Sequence, residues 1–123
     1  MITLYGIKNC DQVRKARRWL DERQVEYHFH DWRADGVPDT LSQWLNQLGW
    51  QALVNRSSTS WRALPEDVRT HFGDQAQARL IETPTLIKRP LLTTHDALLV
   101  GFDAERWQAQ LDSHAPRNEK AKP

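Results

Sequence analysis

Residues 1–30 read MITLYGIKNCDQVRKARRWLDERQVEYHFH. The β-branched and aromatic residues 1–5 stop at Gly6, which predicts a short strand. From residue 11 to residue 23 the apolar positions recur at helical spacing and basic residues occupy the other sides, so this run predicts an amphipathic helix. Residues 25–30 alternate apolar and polar side chains, which predicts a second strand. Strand, helix and strand in this order predict a right-handed parallel crossover.

The rest of the chain adds a helical insert and a hairpin. Proline or a glycine-aspartate pair precedes each of three helical runs, residues 41–48, 66–72 and 75–82. Strands over residues 91–93 and 98–100 are separated by four residues, which predicts a hairpin. A helix over residues 103–111, capped by Asp103, follows. Together these elements predict an α/β domain of thioredoxin-like outline, with the helical insert between the N-terminal βαβ unit and the hairpin plus helix.

Length and composition exclude several classes of protein. The 123 residues have room for one core, so we expect a single domain over residues 1–112 and a flexible polar tail over residues 113–123. A net charge of +1 gives no reason to expect nucleic acid or an anionic membrane as partner. No apolar run approaches the ~20 residues of a membrane span, and no signal peptide is visible, so a cytoplasmic protein is predicted.

Cys10 is the only cysteine, so it acts as a thiol or pairs with sulfur from another molecule. It lies where the first strand meets the first helix, and the free N–H groups of a helix start stabilise a thiolate. Such a position lowers a thiol pKa from about 8.5 to roughly 3.5–7.5. Arg14, one turn on, can add a cation, whereas Asp11 would raise the pKa if it faced the sulfur. A lone cysteine is also often a small buried apolar residue, but the junction favours a nucleophile.

Two arginines in loops can hold oxyanions. Arg56 lies in a polar loop of serine and threonine, and Arg89 directly precedes Pro90. Paired guanidinium donors match carboxylates and oxyanions, so both fit an anionic substrate, while solvated loop arginines remain an equal alternative. For the Arg89-Pro90 bond itself the residues alone favour trans.

His28 and His30 share one strand face, a spacing that can bind metal. No third ligand is in register, so a polar exposed face is favoured and no metal is predicted. The six tryptophans and the basic run of residues 14–18 are interpreted as packing residues and a solvated helix face.

Several motifs in order give a family resemblance. They are Tyr5 to Asp11 with Lys15 to Leu20, Leu48-Gly49-Trp50 with Ala52-Leu53, Ile87 to Leu92, and Leu98 to Phe102. Over about residues 1–111 the chain resembles the YffB branch of the ArsC/Spx family.

This resemblance implies a thioredoxin-like domain, a nucleophile at Cys10, anion-binding arginines at Arg56 and Arg89, and a cis peptide before Pro90. Members resemble glutathione-linked thiol or arsenate reductases. The site predicted for substrate or glutathione therefore contains Asn9, Arg14, Arg56, Arg89 and Pro90 around Cys10.

The leading prediction is a monothiol reductase with glutathione as co-substrate and a mixed disulfide or a small oxyanion as substrate. Arsenate reduction is the less favoured form, because arsenate reductases also use an arginine in the final hairpin and residues 95–102 contain none. The alternative from another class is a non-catalytic regulator that docks a protein partner, as Spx-like proteins do. Spx regulators usually carry Cys-x-x-Cys, and here Val13 stands at the second cysteine position.

Overall fold

A computed structural model of the chain describes residues 2–113. In this part of the chain a four-stranded sheet has the order β2-β1-β3-β4. The strands are β1 (Thr3–Gly6), β2 (His28–Asp31), β3 (Leu91–Thr93) and β4 (Leu98–Val100). β1 pairs with β2 in parallel, and β3 pairs with both β1 and β4 in antiparallel. The parallel crossover and the hairpin are both confirmed.

Helices surround the sheet. Their bounds are α1 Asp11–Glu22, α2 Trp32–Asp35, α3 Leu41–Leu48, α4 Trp50–Leu53, α5 Thr59–Arg62, α6 Glu66–Thr70, α7 Ala76–Glu82 and α8 Ala104–Ser113. Two 3-10 turns cover Phe72–Gln75 and Pro84–Leu86. The predicted first helix, helical insert and last helix are confirmed, and the Asp103 carboxylate accepts a hydrogen bond from the Arg106 N–H at 3.1 Å, as expected of a cap.

The second strand is shorter than predicted, because it begins at His28 and not at residue 25. The backbone of the preceding residues is used to end α1. Gln24 has a φ of 57°, and the Val25 N–H donates to the Leu20 carbonyl at 3.0 Å. The alternating pattern of residues 25–27 therefore lies in the connection before β2.

The core has two parts, one on each face of the sheet. Leu4 and Leu92 pack with α1 and with Trp107 of α8. Leu91 packs on the opposite face, with the helices of the insert. Leu4, Leu91, Leu92 and Trp107 are fully buried, and burying each such leucine contributes about 1.5–3 kcal/mol. The sheet is thus held between α1 with α8 and the helical insert.

The predicted tail begins at residue 113, at the end of the described region. Ser113 ends α8, and the remainder of the predicted tail, residues 114–123, lies outside the described residues. Within residues 2–113 no helix is both long and apolar enough to cross a membrane.

Candidate functional site

A tight turn carries the chain from β1 to the start of α1 and places Cys10 there. The Cys10 N–H donates to the Ile7 carbonyl at 3.2 Å, and Cys10 itself has extended backbone angles, φ −106° and ψ 127°. Its carbonyl accepts from the Arg14 N–H at 2.9 Å, which begins the helix. Cys10 therefore occupies the residue before the first turn, where helix N–H groups are unpaired.

Close packing of α1 on β1 fixes this position. An ideal Cβ built at Gly6 would lie 2.5 Å from Val13 Cγ2, closer than real carbon atoms approach. Val13 is fully buried and lies in the first turn of α1. Only a residue without a side chain at position 6 lets the helix start so close to the strand.

The thiol of Cys10 is half-buried and its pKa is lowered. Burial acts in the opposite direction and raises the pKa, since a thiolate loses hydration. Three hydrogen-bonding groups lower the pKa by more than burial raises it: the backbone N–H of Val13, the Arg89 side chain and the backbone N–H of Gln12. The positive charge of Arg89 lowers the pKa further. The site stabilises a thiolate, the reactive form of cysteine.

Arg89 reaches Cys10 from the segment before β3. Its Nη1 donates to the carbonyls of Thr85 at 2.9 Å and Ile87 at 3.4 Å, so the half-buried guanidinium is held by its own segment. Its buried Nε has no hydrogen-bond partner among residues 2–113. The peptide bond to the buried Pro90 is cis, as the family resemblance implied.

Arg56 is exposed, and its guanidinium carbon lies 5.9 Å from the centre of the Trp50 ring. Its loop is joined to the Arg89 segment, because the Asn55 N–H donates to the Leu86 carbonyl at 2.8 Å. The anion-binding role of Arg56 stays a prediction.

Two further predicted residues lie beside Cys10 in the sequence. Arg14 is exposed and its guanidinium pairs with the Asp11 carboxylate. Arg14 was predicted to stabilise the thiolate and Asp11 to raise the thiol pKa if it faced the sulfur, and the two side chains instead bind each other. Asn9 is exposed in the turn before Cys10. Their roles toward substrate stay predictions.

Of the two histidines of β2, His28 is exposed and His30 makes contacts within the protein. His30 Nε2 lies 2.6 Å from the Gly36 carbonyl oxygen, and its ring lies 5.1 Å from that of Tyr5. In the part of the chain that the structure describes, no group of three histidine, cysteine or acidic side chains is placed to hold a metal ion.

The comparison with known proteins starts from a family model. The model described as "ArsC family" matches residues 5–110, which include Cys10, Arg56 and Arg89. The chain belongs to the ArsC family.

Relatives of this ArsC-family chain cover nearly its whole length. An uncharacterized protein of Haemophilus influenzae is 46% identical over 111 residues, 89% of this chain and 97% of that protein. The global transcriptional regulator Spx 2 of Lactococcus lactis is 27% identical over 114 residues, 90% of this chain and 86% of the regulator.

Solved structures agree with the predicted fold. The structure of a YffB protein has a TM-score of 0.83 and 40% identity, covering 89% of this chain and 97% of that one. An arsenate reductase related protein from Brucella melitensis has a TM-score of 0.70 and 42% identity, covering 89% and 93%. The thioredoxin-like fold and the ArsC resemblance are confirmed.

The sequence did not indicate every residue that shapes this ArsC-family site. Thr85, whose carbonyl holds Arg89, lies in a 3-10 turn that periodicity does not reveal. The N–H groups of Gln12 and Val13 follow from the predicted helix start, although their identity as the donors to sulfur needed the structure.

Proposed function

We propose that this protein is a thiol reductase that uses Cys10 as its single nucleophile and glutathione as co-substrate. The observation that carries the proposal is a half-buried cysteine at the start of α1, where helix N–H groups and the Arg89 guanidinium lower its pKa. A lowered pKa enlarges the thiolate fraction, and nucleophilic attack on a disulfide requires a thiolate that is at least partly open to solvent. We place this reaction in the cytoplasm, where glutathione keeps thiols reduced.

The reaction takes two thiol-disulfide exchanges. In the first, the Cys10 thiolate attacks the glutathione sulfur of a mixed disulfide RS–SG, forming a Cys10–SG disulfide and releasing RS⁻, which takes up a proton. In the second, the thiolate of a free glutathione attacks the glutathione sulfur of that adduct, so that oxidised glutathione leaves and the Cys10 thiolate returns. External glutathione must perform this step, because the chain has no second cysteine.

In this proposal arginine side chains bind glutathione. Glutathione carries two carboxylates, and Arg56 and Arg89 offer fixed guanidinium donors of the geometry that carboxylates accept. In this proposal Asn9, Arg14 and Pro90 line the same site.

The test is turnover of a glutathionylated peptide, with oxidised glutathione measured through NADPH and glutathione reductase. Cys10→Ser should abolish glutathione-dependent turnover. Arg56→Ala should raise KM for glutathione roughly tenfold, the value of one lost charge-assisted hydrogen bond. Arg62→Ala, which removes another exposed arginine of the insert, should leave KM unchanged. Turnover that survives Cys10→Ser would refute the proposal.

Two other functions have support among the relatives. The Spx relative favours a regulator that docks a protein partner, and the Brucella protein's name favours arsenate as substrate. Intact mass after incubation with oxidised glutathione distinguishes the first, since one glutathione adduct on Cys10 supports the reductase, whereas a stoichiometric protein complex that survives Cys10→Ala supports docking. Replacing the peptide by arsenate in the same assay tests the second.

A further inference from the structure

A pair of hydroxyl groups joins the helical insert to the segment that carries Arg89. Ser60 Oγ in α5 lies 2.9 Å from Thr85 Oγ1 in the Pro84–Leu86 turn, and the contact is partly buried. The two are 25 positions apart in the sequence, so the contact is one of the links that fix the turn against the insert.

The same turn supplies the oxygen that holds the arginine. The Thr85 carbonyl accepts the shorter of the two hydrogen bonds from Arg89 Nη1, 2.9 Å against 3.4 Å for the Ile87 carbonyl. A chain of contacts therefore runs from Ser60 through Thr85 to Arg89, the side chain that helps to lower the pKa of the Cys10 thiol.

We propose that Ser60 and Thr85 are positioning residues for the Cys10 reaction, because their hydroxyl pair fixes the carbonyl that holds Arg89 beside the sulfur. The inference rests on the proposed function of Cys10. It adds a role for two residues that neither charge nor sequence pattern distinguishes.

The end of α5 that meets this turn is itself well ordered by hydrogen bonds. Ser58 Oγ accepts from the Trp61 N–H at 3.1 Å and donates to the Asn55 carbonyl at 2.7 Å. Ser60 thus belongs to a capped helix start that also carries the Arg56 loop. Removing the Ser60–Thr85 contact takes away one link of this support and leaves the Asn55–Leu86 backbone bond, so the turn loosens and Arg89 spends less time beside Cys10.

The experiment measures how fast Cys10 reacts with iodoacetamide at about pH 7, below the ordinary thiol pKa of about 8.5, where a lowered pKa leaves a larger share of the sulfur as the reactive thiolate. With one cysteine in the chain the reaction reports on Cys10 alone. Thr85→Val keeps the side-chain shape but removes the hydroxyl, Ser60→Ala removes the other partner, and Thr85→Ser restores a hydroxyl. Thr93→Val is the matched control, since its hydroxyl makes only a 3.5 Å contact with the Thr3 carbonyl in the sheet.

We expect Thr85→Val and Ser60→Ala each to slow alkylation roughly twofold to fivefold, as the loss of one neutral hydrogen bond acting indirectly allows. The double variant should be no slower than the slower single one, because both substitutions remove the same contact. Thr85→Ser and Thr93→Val should react at the wild-type rate, and the pH profile of alkylation should shift upward in the two slow variants alone.

Two outcomes separate failure of this inference from failure of the proposed function. A fast-reacting wild type whose rate is unchanged by both Thr85→Val and Ser60→Ala overturns the positioning role and leaves the nucleophile intact. A wild-type Cys10 that reacts like an ordinary cysteine overturns the proposed function, and the inference falls with it. Should Thr85→Val fail to fold by circular dichroism, Ser60→Ala alone carries the test.

Discussion

Replacing Gly6 by alanine tests whether close packing of α1 on β1 sets the position of Cys10. The added methyl would lie 2.5 Å from Val13 Cγ2, whereas carbon atoms at ordinary contact are about 3.5–4.0 Å apart, so the gap must open by about 1 Å. Valine in a helix has one strongly preferred rotamer and cannot turn aside. The first turn of α1 has to move, and overpacking of this kind costs about 1–3 kcal/mol.

A double-mutant cycle with Val13 isolates that contact. Val13→Ala alone should lower the free energy of unfolding by about 2 kcal/mol, since a fully buried side chain is cut back. In Gly6→Ala/Val13→Ala the new methyl fills part of the space that valine leaves, so the double variant should cost at least about 1 kcal/mol less than the sum of the two single changes. Urea denaturation followed by tryptophan fluorescence measures all three values.

Gly6→Ala should also slow the reaction of Cys10 with iodoacetamide, because the displaced start of α1 moves the thiol away from Arg89. Gly36→Ala is the control. Gly36 has a φ of 79° and no atom within 4 Å of an added Cβ, so alanine there strains the backbone without moving α1. Strict additivity in the cycle, or a Gly6→Ala protein as stable and as reactive as wild type, would refute the reasoning.

Three further outcomes are expected from urea denaturation. Leu80→Ala should lower the free energy of unfolding by about 2–5 kcal/mol, because Leu80 is fully buried. Ile81→Ala on the same helix should change it by less than about 0.5 kcal/mol, since Ile81 is 52% exposed. Equal effects of the two substitutions would contradict the packing of α7. Trp107→Phe removes the 3.0 Å hydrogen bond from the indole Nε1 to the Gly101 carbonyl and should cost about 1–3 kcal/mol, and an unchanged midpoint would show that this bond contributes nothing. Folding lowers the pKa of Cys10, so the stability of wild type relative to Cys10→Ser should depend on pH. The difference in the free energy of unfolding should be greatest above the unfolded thiol pKa of about 8.5 and should decline as pH falls through the lower folded pKa. A difference that does not vary with pH would contradict the lowered pKa.

Elements with a strong local pattern were predictable from the sequence. The strands of the hairpin, Leu91–Thr93 and Leu98–Val100, have the predicted bounds, since short apolar runs between turn residues leave little choice of register. The first helix begins at Asp11 as predicted. The hairpin strands and the start of the first helix are determined by side chains within a few residues of one another.

Short helices were not predictable, for a physical reason. The helices Trp32–Asp35, Trp50–Leu53 and Thr59–Arg62 have four residues each, barely one turn, so no apolar period develops and no isolated helix of that length is stable. Tertiary packing around buried Trp32, Leu53 and Trp61 supplies their stability. Such packing depends on residues that are distant in the sequence, so no local pattern predicts it.

Some features of the site were predictable from the sequence and others were not. The place of Cys10 followed from a strand-to-helix junction, and the importance of Arg89 from its neighbour Pro90 and the family resemblance. The pairing of Arg14 with Asp11 depends on side-chain rotamers, and the support of Arg89 by Thr85 depends on how a 3-10 turn meets the insert. No spacing along the sequence specifies either contact.

The sheet order has a consequence for how the newly made chain acquires its shape. β1 is an inner strand, and one of its two neighbours, β3, includes Thr93, which lies 90 positions after its partner Thr3. Since ribosomes deliver residues in order, the first strand emerges with only the parallel neighbour within reach, and its other edge stays open while the whole insert is synthesised. Contacts between such distant positions form slowly, and an unpaired strand edge invites association with other chains. We expect the interval before the hairpin emerges to be the part of biosynthesis in which this protein depends most on chaperones.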